Sequence, residues 1–217
     1  VFSIFNDGDL TGIFQFNGSK GMKNFISSIQ PKSLEDLIAI NALYRPGPLN
    51  SGAAKMYPEW KKNPRLLHPL IDDILAPTYG VICFQEQFME IFARICDGDM
   101  ADADIARKLI SKAANGNPEW ELKIAYMRVH FIEACQRKGI WIETANNIWN
   151  EIFNHTKYSF NKSHAVAYAS LAWETAWWKY YYRADFAAAF LSVHKEEWKE
   201  YIFDVVKSGI EVVPPHV

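Results

Sequence analysis

The stretch from residue 157 to residue 182, KYSFNKSHAVAYASLAWETAWWKYYY, constrains the fold most, because it joins a polar, cationic turn to a long apolar helix. Small residues recur at spacings of four, three and four on one helical face, at Ala165, Ala169, Ala172 and Ala176. Such a face allows a neighbouring helix to approach closely. Trp173, Trp177 and Trp178 widen the apolar surface to nearly the whole circumference. This pattern is typical of a central, buried helix.

Polar groups collect at the start of this helix. Asn161 or Ser163 is the expected N-cap, so free backbone N–H groups should converge there with the ammonium of Lys162. A helix start with these properties can bind an anion. An ordinary cap on a core helix, without a ligand, is the alternative that these residues leave open.

The rest of the chain is also predicted to be helical. With 217 residues, 49% of them hydrophobic, the chain can bury a substantial core. Periodicity and proline positions predict helices near 19–29, 34–44, 51–62, 68–76, 84–96, 101–114, 118–138, 143–155, 163–182, 185–193 and 196–208. Ser33 with Asp36 is a capping-box arrangement that opens the second of them. The predicted fold is therefore mainly all-α, with short extended segments at the ends.

Three segments are expected to be non-helical. Residues 1–17 read as extended segments around a turn at residues 7–9, and residues 210–213 read as a strand. Residues 45–48, Arg-Pro-Gly-Pro, read as a stiff loop that excludes helix, with Arg45 placed for a fixed electrostatic contact.

Composition and motifs exclude several function classes. A formal net charge of −2 excludes a globally basic nucleic-acid binder, so any phosphate binding must come from local clusters. Three widely spaced cysteines without a CxxC pair indicate reduced thiols and a cytoplasmic setting. No apolar run is long enough for a membrane span. The histidines form no HxxxH or HExxH pair, so no metal site is expected within this chain. The GxSxG, P-loop and GxGxxG motifs are absent, which argues against acyl transfer, P-loop chemistry and dinucleotide binding.

The predicted helix at 101–114 has one cationic face and one apolar face. Arg107, Lys108 and Lys112 fall on the polar arc, and Ile105 and Ile110 fall among the apolar positions. No Asp or Glu lies three or four residues after any of these cations, so we expect them to lack a local acidic partner. A solvated basic face is the alternative.

Six motifs in order resemble one family, the C-family polymerases, which are the catalytic alpha subunits of bacterial DNA polymerase III. They are TGIFQF with GMK, LEDLIAINALYRPGP, HPLIDDIL with TYGVICFQEQFMEI, ADIARKLISK, FNKSHAVAYA and GIEVVPP. Each is weak alone. Together they extend over nearly the whole chain.

The resemblance implies the helical fingers region of a DNA-directed DNA polymerase. Residues 1–17 would then be the approach from the palm, 18–209 the fingers domain, and 210–217 the start of a linker. The family's catalytic aspartates and the Mg²⁺ they bind would lie outside this chain, so this fragment alone should be inactive. Implied partners are primer-template DNA, the incoming dNTP and, through regions outside this chain, a sliding clamp and other replisome subunits. No membrane is implied.

The resemblance also implies roles for the cationic and aromatic positions. Triphosphate binding is implied for Arg45, Arg107, Lys108, Lys112, Lys162, Ser163 and His164. Packing against the nucleotide or a base is implied for Tyr158, Phe160 and Asn161. The family usually has two arginines followed by a Gly-Lys-Lys type segment where this chain has Arg107-Lys108 and Ser111-Lys112. Because Lys cannot form the bidentate fork of Arg, the pairing of cations with phosphates stays open.

Two rival functions remain at this point. One is a non-catalytic helical module that binds nucleic acid or a replisome protein, and the other is a plain helical scaffold.

Overall fold

The computed structural model describes residues 1–113, 118–156, 158–194 and 198–213. Within these ranges it contains thirteen α-helices, one short 3-10 segment at Ala76–Thr78 and no β-strand. The helices are α1 (Phe2–Asn6), α2 (Lys20–Ile29), α3 (Leu34–Leu43), α4 (Pro46–Asn50), α5 (Ala53–Lys62), α6 (Asp72–Leu75), α7 (Gln85–Cys96), α8 (Met100–Ala113), α9 (Pro118–Arg137), α10 (Ile142–Thr156), α11 (Lys162–Tyr181), α12 (Arg183–Val193) and α13 (Trp198–Lys207). The all-α prediction is confirmed.

The chain divides into two compact units. The first consists of Val1–Leu37 and Val166–Val217, and the second is Ile38–Ala165. Helix α11 therefore begins in the second unit and continues in the first. The domain boundaries inferred from the sequence stay a prediction, and residues 214–217 of the expected linker lie outside the described residues.

Residues 2–6 and 210–213, both in the first unit, do not have the extended structure predicted from the sequence. Residues 2–6 form a helix that buries Ile4 and Phe5, and the Phe5 ring packs edge-on against Phe16 at 5.7 Å. The extended prediction was wrong there because a segment of five residues is too short to separate a period of 2 from one of 3.6. Residues 210–213 form no strand. Isolated apolar residues do not form one without a partner to supply ladder hydrogen bonds.

The core of the second unit is a continuous set of aromatic and aliphatic side chains from α7, α8, α9 and α10. Phe92 packs against Phe131 at 6.0 Å, and Phe131 against Trp149 at 5.4 Å. Phe131 is fully buried and Trp149 nearly so. These helices follow one another in the chain with short connections, so most of the core forms between neighbours in sequence.

Local capping follows the sequence closely at α3 but not at α4. Asp36 Oδ2 accepts from the backbone N–H of Ser33 at 3.3 Å, and the N–H of Asp36 donates to Ser33 Oγ at 3.2 Å, so the capping box is confirmed. The stiff loop predicted at residues 45–48 is wrong, because Pro46 and Pro48 lie in the first turn of α4. A first turn tolerates proline because its N–H groups have no intrahelical acceptor.

A partly buried ion-pair cluster joins α10 to the segment before α6. Glu151 accepts from Arg65 Nη2 at 2.8 Å and from His155 Nε2 at 3.2 Å. The hydrogen bond from His155 is the largest cause that lowers the pKa of Glu151. Burial raises this pKa and Arg65 lowers it further, and the resulting pKa is about 2.

This cluster predicts an acid-dependent stability. A carboxyl whose pKa falls from an ordinary 4.5 to about 2 on folding stabilises the fold above pH 4.5 and loses that contribution as pH falls towards 2. We expect Glu151→Gln to lower the free energy of unfolding at pH 7 by on the order of 2 kcal/mol. The difference from the unmodified chain should shrink between pH 4.5 and 2 in urea titrations. Glu143→Gln, an exposed site on the same helix, is the control. A constant difference across this pH range would contradict the assignment.

Candidate functional site

The starts of α7 and α11 are joined by backbone hydrogen bonds. Phe84 and Phe160 form a parallel bridge in which Gln85 N donates to Phe160 O at 2.9 Å and Phe160 N donates to Cys83 O at 3.0 Å. This bridge brings residues 158–164 beside the first turn of α7. The polar turn singled out in the sequence is therefore held on a second helix start.

A buried glutamine fixes the segment that enters α7. Gln87 Oε1 accepts from the N–H groups of Cys83 and Phe84 at 2.9 and 3.1 Å. Its Nε2 donates to Thr78 Oγ1 at 2.6 Å and to Ile74 O at 3.2 Å. A buried side-chain amide with these bonds made is strongly stabilised in one orientation. The bridge to Phe160 thus starts from a rigid segment.

Asn161 is the N-cap of α11. Its Oδ1 accepts from the N–H of His164 at 2.9 Å, so of the two caps considered from the sequence the structure has Asn161. Asn161, Lys162, Ser163 and His164 are all exposed. The ammonium of Lys162 lies 5.9 Å from the centre of the Phe84 ring. This exposed group of polar side chains is the candidate site.

The expectation of free backbone donors at this helix start was wrong for the N–H groups of Lys162 and His164. The N–H of Lys162 donates to both oxygens of Glu86, at 3.1 and 3.0 Å, and Asn161 Nδ2 donates to Glu86 Oε1 at 3.3 Å. Glu86 lies in the first turn of α7 and reaches α11 only through the tertiary fold. A carboxylate of the protein itself therefore occupies donors that an external anion would use.

Arg45 reaches the same turn from the end of α3. Its guanidinium stacks on the Phe160 ring at 4.1 Å, and Nη2 donates to the carbonyl of Tyr158 at 2.8 Å. Its Nε donates to the carbonyl of Ala42 at 2.9 Å. Burial lowers the pKa of Arg45 from its high ordinary value. Arg45 therefore holds residues 158–160 in place, and one face of Phe160 is covered.

Tyr158 packs against the backbone of α4. A Cβ on Gly47 would lie 2.4 Å from Tyr158 Cδ1, so only glycine allows this contact. The ring is nevertheless 44% exposed and borders an open hollow of about 290 Å³ with Ser51, Asn154 and His155. Of the predicted packing residues, Tyr158 has the more accessible ring, because Phe160 is half-buried and also meets the edge of His164 at 5.2 Å.

The cations of α8 have acidic and aromatic partners that the sequence argument missed. Asp104 binds Arg107 Nη2 at 2.8 Å and Lys108 Nζ at 2.6 Å. Asp104 lies three residues before Arg107 and four before Lys108, and helical pairing extends in both directions along the chain. Lys112 lies 5.1 Å from the Trp120 ring centre. The apolar face is also narrower than expected, because Ala106 and Ile110 are buried but Ile105 is 58% exposed.

The alanine face of α11 is buried as predicted, but the helix is not buried all round. Ala165, Ala169, Ala172 and Ala176 have no exposed surface. Trp178 and Tyr180–Tyr182 are about half exposed, so the prediction of a fully buried helix was wrong. The buried face continues three residues after Ala176 to Lys179, which is 1% exposed. The spacing could have revealed this lysine, since 165, 169, 172, 176 and 179 lie on one face.

Three of the four aspartates in the two Asp-Gly-Asp turns, at residues 7–9 and 97–99, have other partners in the protein. Asp9 binds Lys179 and Arg183, Asp97 binds Lys138 Nζ at 2.5 Å, and Asp99 caps α8. In the described parts of the chain no group of three or more His, Cys, Asp or Glu side chains could hold a metal ion. These residues do not fit a Mg²⁺ site.

Comparisons with known proteins agree with one another. A family model described as "Bacterial DNA polymerase III alpha subunit finger domain" matches residues 1–139. The "DNA polymerase III subunit alpha" of Bacillus subtilis is 35% identical over 223 residues, which cover 100% of this chain and 19% of the relative. The protein of the same name from Neisseria meningitidis is 36% identical over 220 residues, with the same two shares. That from Aquifex aeolicus is 35% identical over 222 residues, covering 100% of this chain and 18% of the relative.

The chain thus spans less than a fifth of the length of these curated relatives. None of the helices in its described ranges combines the length and the apolar character needed to cross a membrane.

Proposed function

This chain belongs to the family of bacterial DNA polymerase III alpha subunits through their finger domain, and from that premise we propose that it holds the triphosphate of an incoming dNTP and the primer-template during nucleotidyl transfer. The start of α11 carries this proposal. There Lys162, Ser163 and His164 are exposed side by side on a backbone joined rigidly to α7. A preorganised cation beside hydrogen-bond donors suits the stabilisation of phosphate charge.

The other residues assigned from the sequence either contact the nucleotide or support those that do in this proposal. Tyr158, with its exposed ring at an open hollow, is the proposed packing surface for the nucleotide, and Phe160 and Asn161 support it. Arg45 acts near the nascent pair through the segment that it orders. Arg107, Lys108 and Lys112 would meet phosphate on α8, where Asp104 lowers the charge available from the first two.

The wider function is proposed for the whole alpha subunit. DNA-directed DNA polymerase activity requires metal ions, which in this proposal are Mg²⁺ ions held by palm residues outside this chain. The chain alone would then be inactive. Its proposed partners are primer-template DNA, the incoming dNTP and, through other regions, a sliding clamp and replisome subunits in the cytoplasm.

The test is Lys162→Ala in the complete alpha subunit that contains this region. We expect kcat/KM for the incoming dNTP to fall by about tenfold, through a higher KM or a lower kcat, because one charge-assisted phosphate contact is lost. Steady-state primer extension measures this. The melting temperature should be unchanged because the side chain is exposed.

Two variants serve as controls. Lys55→Ala removes an exposed lysine of α5 and should leave the kinetics unchanged. Ala169→Leu overpacks the buried face of α11. It should lower the free energy of unfolding by about 1–3 kcal/mol, as is typical when a core is overpacked. If Lys162→Ala left kcat and KM as they were, the start of α11 would have no part in nucleotide binding.

A further inference from the structure

The carboxylate of Glu86 lies where a phosphate group would meet the start of α11. Both of its oxygens accept from the N–H of Lys162, at 3.1 and 3.0 Å, and one also accepts from Asn161 Nδ2 at 3.3 Å. Glu86 is itself in the first turn of α7. Its negative charge therefore lies between two helix starts, each with a partial positive charge.

The position of α11 does not depend on this carboxylate alone. Asn161 Oδ1 caps His164, and the backbone bonds between residues 83–85 and Phe160 hold the preceding residue. Arg45 fixes residues 158–160 independently. Removing the charge of Glu86 should therefore leave the helix start in place, and its main effect should be electrostatic.

We infer that Glu86 limits the affinity of this site for triphosphate and excludes phosphate from the backbone N–H of Lys162. The inference rests on the proposed function of the site. With Glu86 in place, the formal charges of Lys162 and Glu86 cancel, and a polyanion has to bind through side chains in the presence of a nearby like charge. The carboxylate thus selects the exposed ammonium of Lys162 as the phosphate ligand.

The experiment is calorimetric titration of the 217-residue chain with inorganic tripolyphosphate at low ionic strength, where charges are weakly screened. Glu86→Gln keeps an oxygen acceptor for the N–H of Lys162 but removes the charge. We expect it to lower Kd by roughly three- to tenfold, the effect of one like charge close to a partly hydrated site. Glu90→Gln is the matched control, since it removes the same charge from an exposed position one turn later in α7. It should change Kd by less than about twofold.

The outcomes of these titrations distinguish the inference about Glu86 from the proposed function of the start of α11. An unchanged or higher Kd for Glu86→Gln, with Lys162→Ala still weakening binding, would overturn this inference and leave the proposed function standing. If Lys162→Ala had no effect, or if no variant bound tripolyphosphate, both would be overturned. An equal gain for Glu86→Gln and Glu90→Gln would also overturn the inference, since net charge alone would explain it.

Amide hydrogen exchange adds a readout that needs no phosphate. In Glu86→Ala the N–H of Lys162 should exchange faster, because it loses its acceptor, while the N–H of His164 should be unchanged on Asn161. Unchanged exchange at Lys162 would show that the contact is not made in solution, and the inference would be lost with it.

Discussion

Lys179→Met is expected to lower the free energy of unfolding by roughly 3–5 kcal/mol, the scale for breaking a buried ion pair by removal of one partner. Lys179 is 1% exposed, and its ammonium bonds to Asp9 Oδ1 at 2.5 Å, Thr11 O at 2.9 Å and Asp204 Oδ2 at 3.0 Å. Methionine keeps most of the side-chain length but leaves these acceptors without their donor. Asp9 retains Arg183, and both aspartates are partly exposed, which favours the lower end of the range.

Urea unfolding followed by circular dichroism measures this loss. Lys20→Met, at an exposed lysine of the same unit, should change stability by less than about 0.5 kcal/mol. In a double-mutant cycle, Asp204→Asn should cost less in the Lys179→Met background than in the unmodified chain, because the two side chains interact directly. A loss below about 1 kcal/mol, or strict additivity, would show that Lys179 is not a structural centre of this unit.

Gly80→Ala is the second large expected effect, with a loss of roughly 2–4 kcal/mol. Gly80 has a φ of +86°, and an added Cβ would lie 2.3 Å from the carbonyl oxygen of Arg65. The backbone around this contact is fixed, since Gly80 N donates to Leu75 O at 3.0 Å and Arg65 N donates to Tyr79 O at 3.1 Å. Neither backbone segment can move without breaking a hydrogen bond.

Gly139→Ala separates the cost of the left-handed backbone from the cost of the steric contact with Arg65. Gly139 has a φ of +74°, but nothing lies within 4 Å of the added Cβ. It should therefore show only the left-handed backbone penalty of about 1 kcal/mol. Thermal and urea unfolding of both variants give the comparison. Equal losses would mean that the contact with Arg65 relaxes freely.

The sequence alone predicted those features that depend on residues a few positions apart. Most of the longer helices, the Ser33 and Asp36 capping box and the alanine face of α11 follow from spacings of three or four residues. The motifs also identified the family, which the family model and the curated relatives confirm. The exception within this range is Asp104, which pairs with Arg107 and Lys108 from three and four residues before them.

The tertiary structure alone decided which distant polar groups meet. Glu86 and Lys162 are 76 residues apart, Arg45 and Tyr158 are 113 apart, and Lys179 and Asp9 are 170 apart. No periodicity links such pairs, because their meeting depends on how whole helices pack and not on the rotation of one helix. For the same reason the sequence could suggest free backbone donors at the start of α11 but not the carboxylate of Glu86, which packing against α7 places there.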